Sequence, residues 1–82
     1  MSRFEKLKNR ILDHAQRGNI TFEELCNFVE RLGFNCHPKA TGHKVFTKEG
    51  IDEIINLQSG QNGKAKRYQV AQVAAIVLQY EL

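Results

Sequence analysis

Apolar positions recur at two different periods along this chain, and the changes of period divide it into three parts. Phe4, Leu7, Ile11, Leu12 and Ala15 fall at helical spacing behind Ser2 and Glu5, a pair three residues apart that reads as a capping box. The spacing predicts an amphipathic helix over residues 3–17, ended by Gly18. A second start follows at once. Thr21 and Glu24 repeat the capping-box spacing, and Phe22, Leu25, Cys26, Val29 and Leu32 mark an apolar face that stops at Gly33.

Beyond Gly33 the period shortens. The stretch "FNCH" is a short strand, cut off by Pro38, which has no N–H to give to a sheet ladder. "ATG" makes a turn, and "HKVFTK" supplies β-branched and aromatic residues for a second strand. Glu49-Gly50 turns the chain again, and "DEIINLQ" offers Ile54, Ile55 and Leu57 for a third strand. After a glycine-containing loop, "SGQNGKAK", helical spacing returns from Arg67 to Tyr80 through Val70, Val73, Ala74 and Val77. The order is α-α-β-β-β-α. It predicts an α+β fold, a three-stranded antiparallel sheet with helices packed on one face and the other face left for a partner. Residues 1–82 read as one domain, with no internal repeat, linker or low-complexity tract.

Strand alternation leaves two arrangements open for the second strand. His43, Val45 and Thr47 share one face, and Lys44, Phe46 and Lys48 share the other. If Val45 points into the core, His43 lies at the core edge and the lysines face solvent with Phe46. If Phe46 is buried, Lys44 sits on the buried side.

Charge and cysteine content narrow the functional classes. The net charge is +3 and the isoelectric point about 9.1, which permits nucleic-acid binding without requiring it. The positive excess is not spread evenly: Lys39, Lys44, Lys48, Lys64, Lys66 and Arg67 face only Glu49, Asp52 and Glu53 in the same stretch. No apolar run reaches the length of a membrane span. The charged N-terminus, "MSRFEKLKNRILDH", lacks the apolar region of a secretory signal, so a cytoplasmic location is expected. Cys26 and Cys36 fit neither a disulfide framework nor a zinc module, and Cys26 lies on an apolar stripe as a small core residue. Cys36, His37 and His43 do not make a metal-ligand spacing. No metal and no cofactor are expected.

Four strings then carry a resemblance: "ITFEELCNFVERLGF", "GHKVFTKEG", "IINLQ" and "KAKRYQVAQV". In this order and spacing the chain from Ile20 onward resembles the HicA (YcfA-like) toxins, mRNA interferases of toxin–antitoxin modules. Residues 1–18 look like the extra N-terminal helix of some members. The resemblance implies a fold like the double-stranded-RNA-binding domain, an mRNA substrate and a HicB-type antitoxin as protein partner. In that family a histidine follows a Gly-Ser pair, in a pattern like Gly-Ser-His-x-x-Phe. Phe46 anchors the pattern here, which sets His43 on the catalytic position and Thr41-Gly42 in place of the Gly-Ser pair.

The chemistry agrees with those residue types. Metal-independent RNA cleavage needs a base for the 2′-hydroxyl proton and an acid for the departing 5′-oxygen, and histidine serves either step near neutral pH. Cations beside the scissile phosphate stabilise the charge that develops there. Lys39, Lys44 and Lys48 along the hairpin, with Lys64, Lys66 and Arg67 before the last helix, are the candidate RNA contacts. A helix N-terminus also favours phosphate. On residue chemistry alone, a histidine at a hairpin is ordinary polar surface, and His14 and His37 keep that reading. Two alternatives stand beside the ribonuclease: a non-catalytic double-stranded-RNA-binding module of the same fold, and a protein-interaction domain.

Overall fold

Where each element starts and stops follows from a few side chains competing for backbone hydrogen bonds. The computed structural model describes residues 2–39 and 42–82. Helix α1 spans Arg3–Leu12, with the Ser2 hydroxyl accepting from the Glu5 N–H at 3.1 Å. It ends five residues before the position its apolar spacing predicts. Asp13 leaves the helical region, and its carboxylate accepts from the Ala15 N–H at 3.0 Å and from the Gln16 amide at 3.1 Å. A short acidic side chain that can bond the backbone two residues on offers an alternative to continuing the helix. Asp13 thereby caps a separate 3₁₀ segment, His14–Asn19, and Ala15 is exposed instead of lying on the buried stripe.

Helix α2, Phe22–Arg31, starts with a complete capping box. Thr21 Oγ1 accepts from the Glu24 N–H and Glu24 Oε1 accepts from the Thr21 N–H, both at 3.0 Å. The helix buries Leu25, Cys26, Phe28 and Val29. Burial pushes the Cys26 thiol up to about 11, so it stays protonated as a core side chain. Gly33 ends the helix at φ +101, a conformation that glycine adopts without steric cost, and its N–H reaches the Glu30 carbonyl at 2.9 Å.

Strands β1 (Asn35–Pro38), β2 (Lys44–Lys48) and β3 (Ile51–Leu57) form an antiparallel meander in the order β1-β2-β3. Cys36 pairs with Phe46 and Phe46 with Ile55, so one face carries Cys36, Phe46, Ile55 and Leu57. Phe46, Ile55 and Leu57 are fully buried, which decides between the two arrangements that alternation left open. Lys44 and Lys48 thus lie on the helix-packed side, where the Lys44 ammonium sits 5.8 Å from the Phe22 ring centre. Val45, Thr47 and Asn56 occupy the opposite, uncovered face. The two residues from Phe46 to Lys48 are matched by four from Ile55 to Ile51, an irregularity carried by β3.

The loop after β3 folds back on the helical layer. The Ala65 N–H donates to the Ile20 carbonyl at 2.9 Å, and the Gly60 N–H to the Lys64 carbonyl at 2.8 Å. Helix α3, Arg67–Gln79, then packs against α1, β3 and the 3₁₀ segment through Val70, Val73, Ala74, Ile76 and Val77. These residues join Ile11, Ile20, Leu25, Phe28, Val29 and Phe34 in one core between the helices and the inner sheet face. The result is the α-α-β-β-β-α architecture that the sequence pattern predicts. Among the described residues, no helix is long and apolar enough to cross a membrane.

Candidate functional site

His43 lies immediately before β2, where the chain leaves the turn and enters the sheet. Two backbone bonds join the described residues on either side: the Lys39 N–H donates to the His43 carbonyl at 2.9 Å, and the Gly42 N–H to the Lys39 carbonyl at 3.2 Å. Gly42 has φ +85 and open space where a Cβ would stand, so its lack of a side chain serves conformation and not close packing. Thr41 lies outside the described residues.

The imidazole is half-buried, and its Nδ1 is 3.2 Å from Asn56 Oδ1 on β3. Register explains the pairing. Asn56 is directly opposite Val45, and side chains two apart on a strand share a face, which brings positions 43 and 56 within diagonal reach. An amide oxygen only accepts, so in this orientation Nδ1 carries the proton and donates it to Asn56. In the neutral ring that tautomer leaves the lone pair on Nε2, the nitrogen able to take a proton from a substrate.

His43 opens onto a cavity of about 260 Å³, lined also by Asn56, Gln58, Tyr68, Gln69 and Gln72. Its wall is built where the end of β3 meets the first turns of α3. Gln69 is only 4% exposed, and its Oε1 accepts from the Gln58 N–H at 3.2 Å. Lys66 Nζ donates to the Gln58 side-chain oxygen at 3.1 Å, which sets an ammonium at the rim. Helix α3 has no side-chain cap on its first turn, so the positive end of its dipole meets this region without a capping oxygen. The lining contains no carboxylate. The site offers the His43 imidazole, the Tyr68 phenol and several neutral amides, with positive potential at its edge.

The other predicted cations fall in different places. Lys39 is exposed on the turn that leads into His43. Lys64 is exposed on the loop before α3. Lys44 and Lys48 are on the helix-packed side of the sheet, Lys48 with its ammonium against the Gly33 backbone. Arg67 turns back to the 3₁₀ segment, donating to the His14 carbonyl at 3.2 Å. The fold therefore gathers Lys66 and Lys39 near His43 and directs Lys44, Lys48 and Arg67 elsewhere. His37 bonds Thr47 across the open face at 3.0 Å. Cys36, His37 and His43 make no metal-binding group, and no three His, Cys, Asp or Glu side chains gather as one among the described residues.

Sequence reasoning assigned no role to Asn56, Gln58, Tyr68, Gln69 or Gln72. Their signal was present: Asn56, Gln58, Gln69 and Gln72 interrupt the apolar strings "IINLQ" and "YQVAQV", the second of which Tyr68 opens. A larger groove, about 460 Å³, runs between α1 and α2 and shares no residue with this cavity. Its floor is the stacked pair Phe4 and Phe28, 5.0 Å apart. Its one carboxylate, Glu24, is already held by Arg10 at 2.9 Å and by the Thr21 N–H. Compared with protein-family models, curated proteins and solved structures, the chain finds no match.

Proposed function

We propose that this chain is an endoribonuclease toxin of the HicA type, cleaving mRNA with His43 as general acid/base and neutralised by a HicB-type antitoxin. The observation that carries the reading is the His43–Asn56 pair, with a free Nε2 at the mouth of a polar cavity that Lys66 borders. In the proposed reaction Nε2 accepts the 2′-hydroxyl proton and O2′ attacks phosphorus. The P–O5′ bond breaks as the leaving oxygen takes a proton from water, giving a 2′,3′-cyclic phosphate and a 5′-hydroxyl, and Nε2 then returns its proton to solvent. Lys66 and the first turn of α3 supply positive potential for the phosphate oxygens. An mRNA substrate puts the protein in the cytoplasm.

The test compares the chain with His43→Ala for RNA degradation in vitro and growth arrest on expression. Removing the general acid/base is expected to lower cleavage by about 10²–10⁴-fold. An unchanged circular dichroism spectrum in the variant shows that the fold is retained. Equal cleavage by both proteins overturns the assignment of His43. Stoichiometric RNA binding by the unmutated chain, with no product over time, favours the non-catalytic RNA-binding module instead.

A further inference from the structure

We infer that the amide-lined cavity beside His43 is a nucleobase subsite, in which Tyr68 stacks on a base of the RNA and Gln72 reads its edge. The inference rests on the ribonuclease reading only for the identity of the polymer. Its own support is the chemistry of the lining.

Three features select a base over other occupants. The cavity presents the side-chain amides of Asn56, Gln58, Gln69 and Gln72 and no carboxylate or aliphatic side chain, so neither a cation nor a hydrocarbon finds its complement there. A phosphate alone would leave the amide carbonyls facing negative charge. An amide offers a donor and an acceptor side by side, the arrangement that pairs with an adjacent donor and acceptor on a base edge.

Tyr68 is the second feature. It is 66% exposed, one of three large hydrophobic residues left so open among the described residues, and it lies on the first turn of α3 at the cavity edge. The Gln69 amide points at its hydroxyl from 3.4 Å, consistent with a ring held at the rim. Exposed aromatic rings beside positive charge are the usual platforms on which unpaired bases stack.

Position is the third. Tyr68 and Gln72 are four residues apart, hence on one face of α3, and both are exposed beside His43. Asn56 and Gln58 have one oxygen each committed, to His43 and Lys66, while Gln72 lies at the open side where an incoming base first meets an amide. A base seated here sets its own sugar and phosphate next to Nε2 of His43. The cavity would thus choose which nucleotide flanks the cleaved bond.

The experiment uses four 2′-O-methyl tetranucleotides, all-A, all-C, all-G and all-U, which cannot be cleaved because the nucleophile is blocked. Each is titrated into the full chain, and affinity is read from the NMR shifts of the Asn56, Gln58 and Gln72 side-chain amides. The best tetramer is expected to bind about fivefold or more tighter than the worst, the discrimination that one base-edge pair supplies. Gln72→Ala, on an exposed helix face, should level that ranking. Tyr68→Ala should weaken all four by about tenfold, and Tyr68→Phe should restore most of the loss.

Equal binding of all four by the unmutated chain overturns the inference, as does a ranking that survives Gln72→Ala, or no binding at all. The two readings fail separately. A Gln72-dependent ranking in a chain that cleaves no RNA retains the subsite and removes the nuclease. His43-dependent cleavage without any ranking does the reverse.

Discussion

Asn56 does for His43 what the backbone cannot: it gives Nδ1 a side-chain partner that orients the ring. The 3.2 Å contact from Nδ1 to the Asn56 amide oxygen makes Asn56 a positioning residue under the proposed function, since it acts through the imidazole and not on the substrate. Asn56→Ala should lower cleavage by about 10²-fold, the usual cost of a reacting group set slightly out of place. Asn56→Asp separates positioning from simple structural support. A carboxylate beside Nδ1 favours the imidazolium, so more alkaline conditions are needed to free Nε2 as a base. The acidic limb of the pH–rate profile should then move up by about one pH unit. A profile that stays in place while the rate falls would show that Asn56 supports the fold alone. His43 was legible in the sequence because its spacing to Phe46 is local. Asn56 was not, because its partnership with His43 depends on a strand register between residues thirteen apart. Tyr68 and Gln72 reach the same cavity from a different element again, and no single-strand or single-helix pattern joins them to it.

The helix boundaries record the same contrast between local and non-local causes. The Thr21–Glu24 capping box was legible because both of its hydrogen bonds close within four residues, and the structure contains both. The end of α1 was misplaced because apolar spacing continues to Ala15, while the Asp13 carboxylate redirects the backbone. Glu24 extends its local cap into a tertiary tie by also taking the Arg10 guanidinium at 2.9 Å. Burial alone would push its carboxyl up. The Thr21 N–H and the Arg10 guanidinium outweigh that and hold it below the ordinary value of 4.5. A carboxyl lowered in the folded state contributes stability that is fully present above its unfolded pKa and is lost as pH falls through its folded one. Thermal or urea unfolding should therefore show a decline in stability below about pH 4.5 that Glu24→Gln makes shallower. At neutral pH, Thr21→Ala should cost about 1 kcal/mol, the usual value of an N-cap hydroxyl. An acid limb identical in the native chain and Glu24→Gln would assign the pH dependence to other carboxylates.

Across the whole molecule, the helices decide which face of the sheet is buried, and with it which cations can approach a ligand at His43. Element order and the antiparallel meander were legible from changes of apolar period and from the turn residues. The buried face was not, since alternation in β2 fits either side until α2 and α3 are placed; Phe46 then goes inward and carries Lys44 and Lys48 with it. The positive residues that looked like one basic stretch are divided by the sheet, with Lys39 and Lys66 near the cavity and Lys44 and Lys48 on its far side. RNA binding at the proposed site should show this division in its salt dependence. Each lost phosphate contact lowers the slope of log affinity against log salt by about 0.7 for single strands. Lys39→Ala and Lys66→Ala should each weaken binding at low salt and reduce the slope by roughly that amount, evenly across sequences. Lys44→Ala and Lys48→Ala should leave the slope unchanged. Lys44→Ala should instead lower folding stability by about 0.5–1 kcal/mol through its lost contact with the Phe22 ring. The discriminating measurement is the pair Lys66→Ala and Lys44→Ala titrated at several salt concentrations. If Lys44→Ala flattens the slope and Lys66→Ala does not, RNA approaches from the helix side and the cavity at His43 is not where it binds.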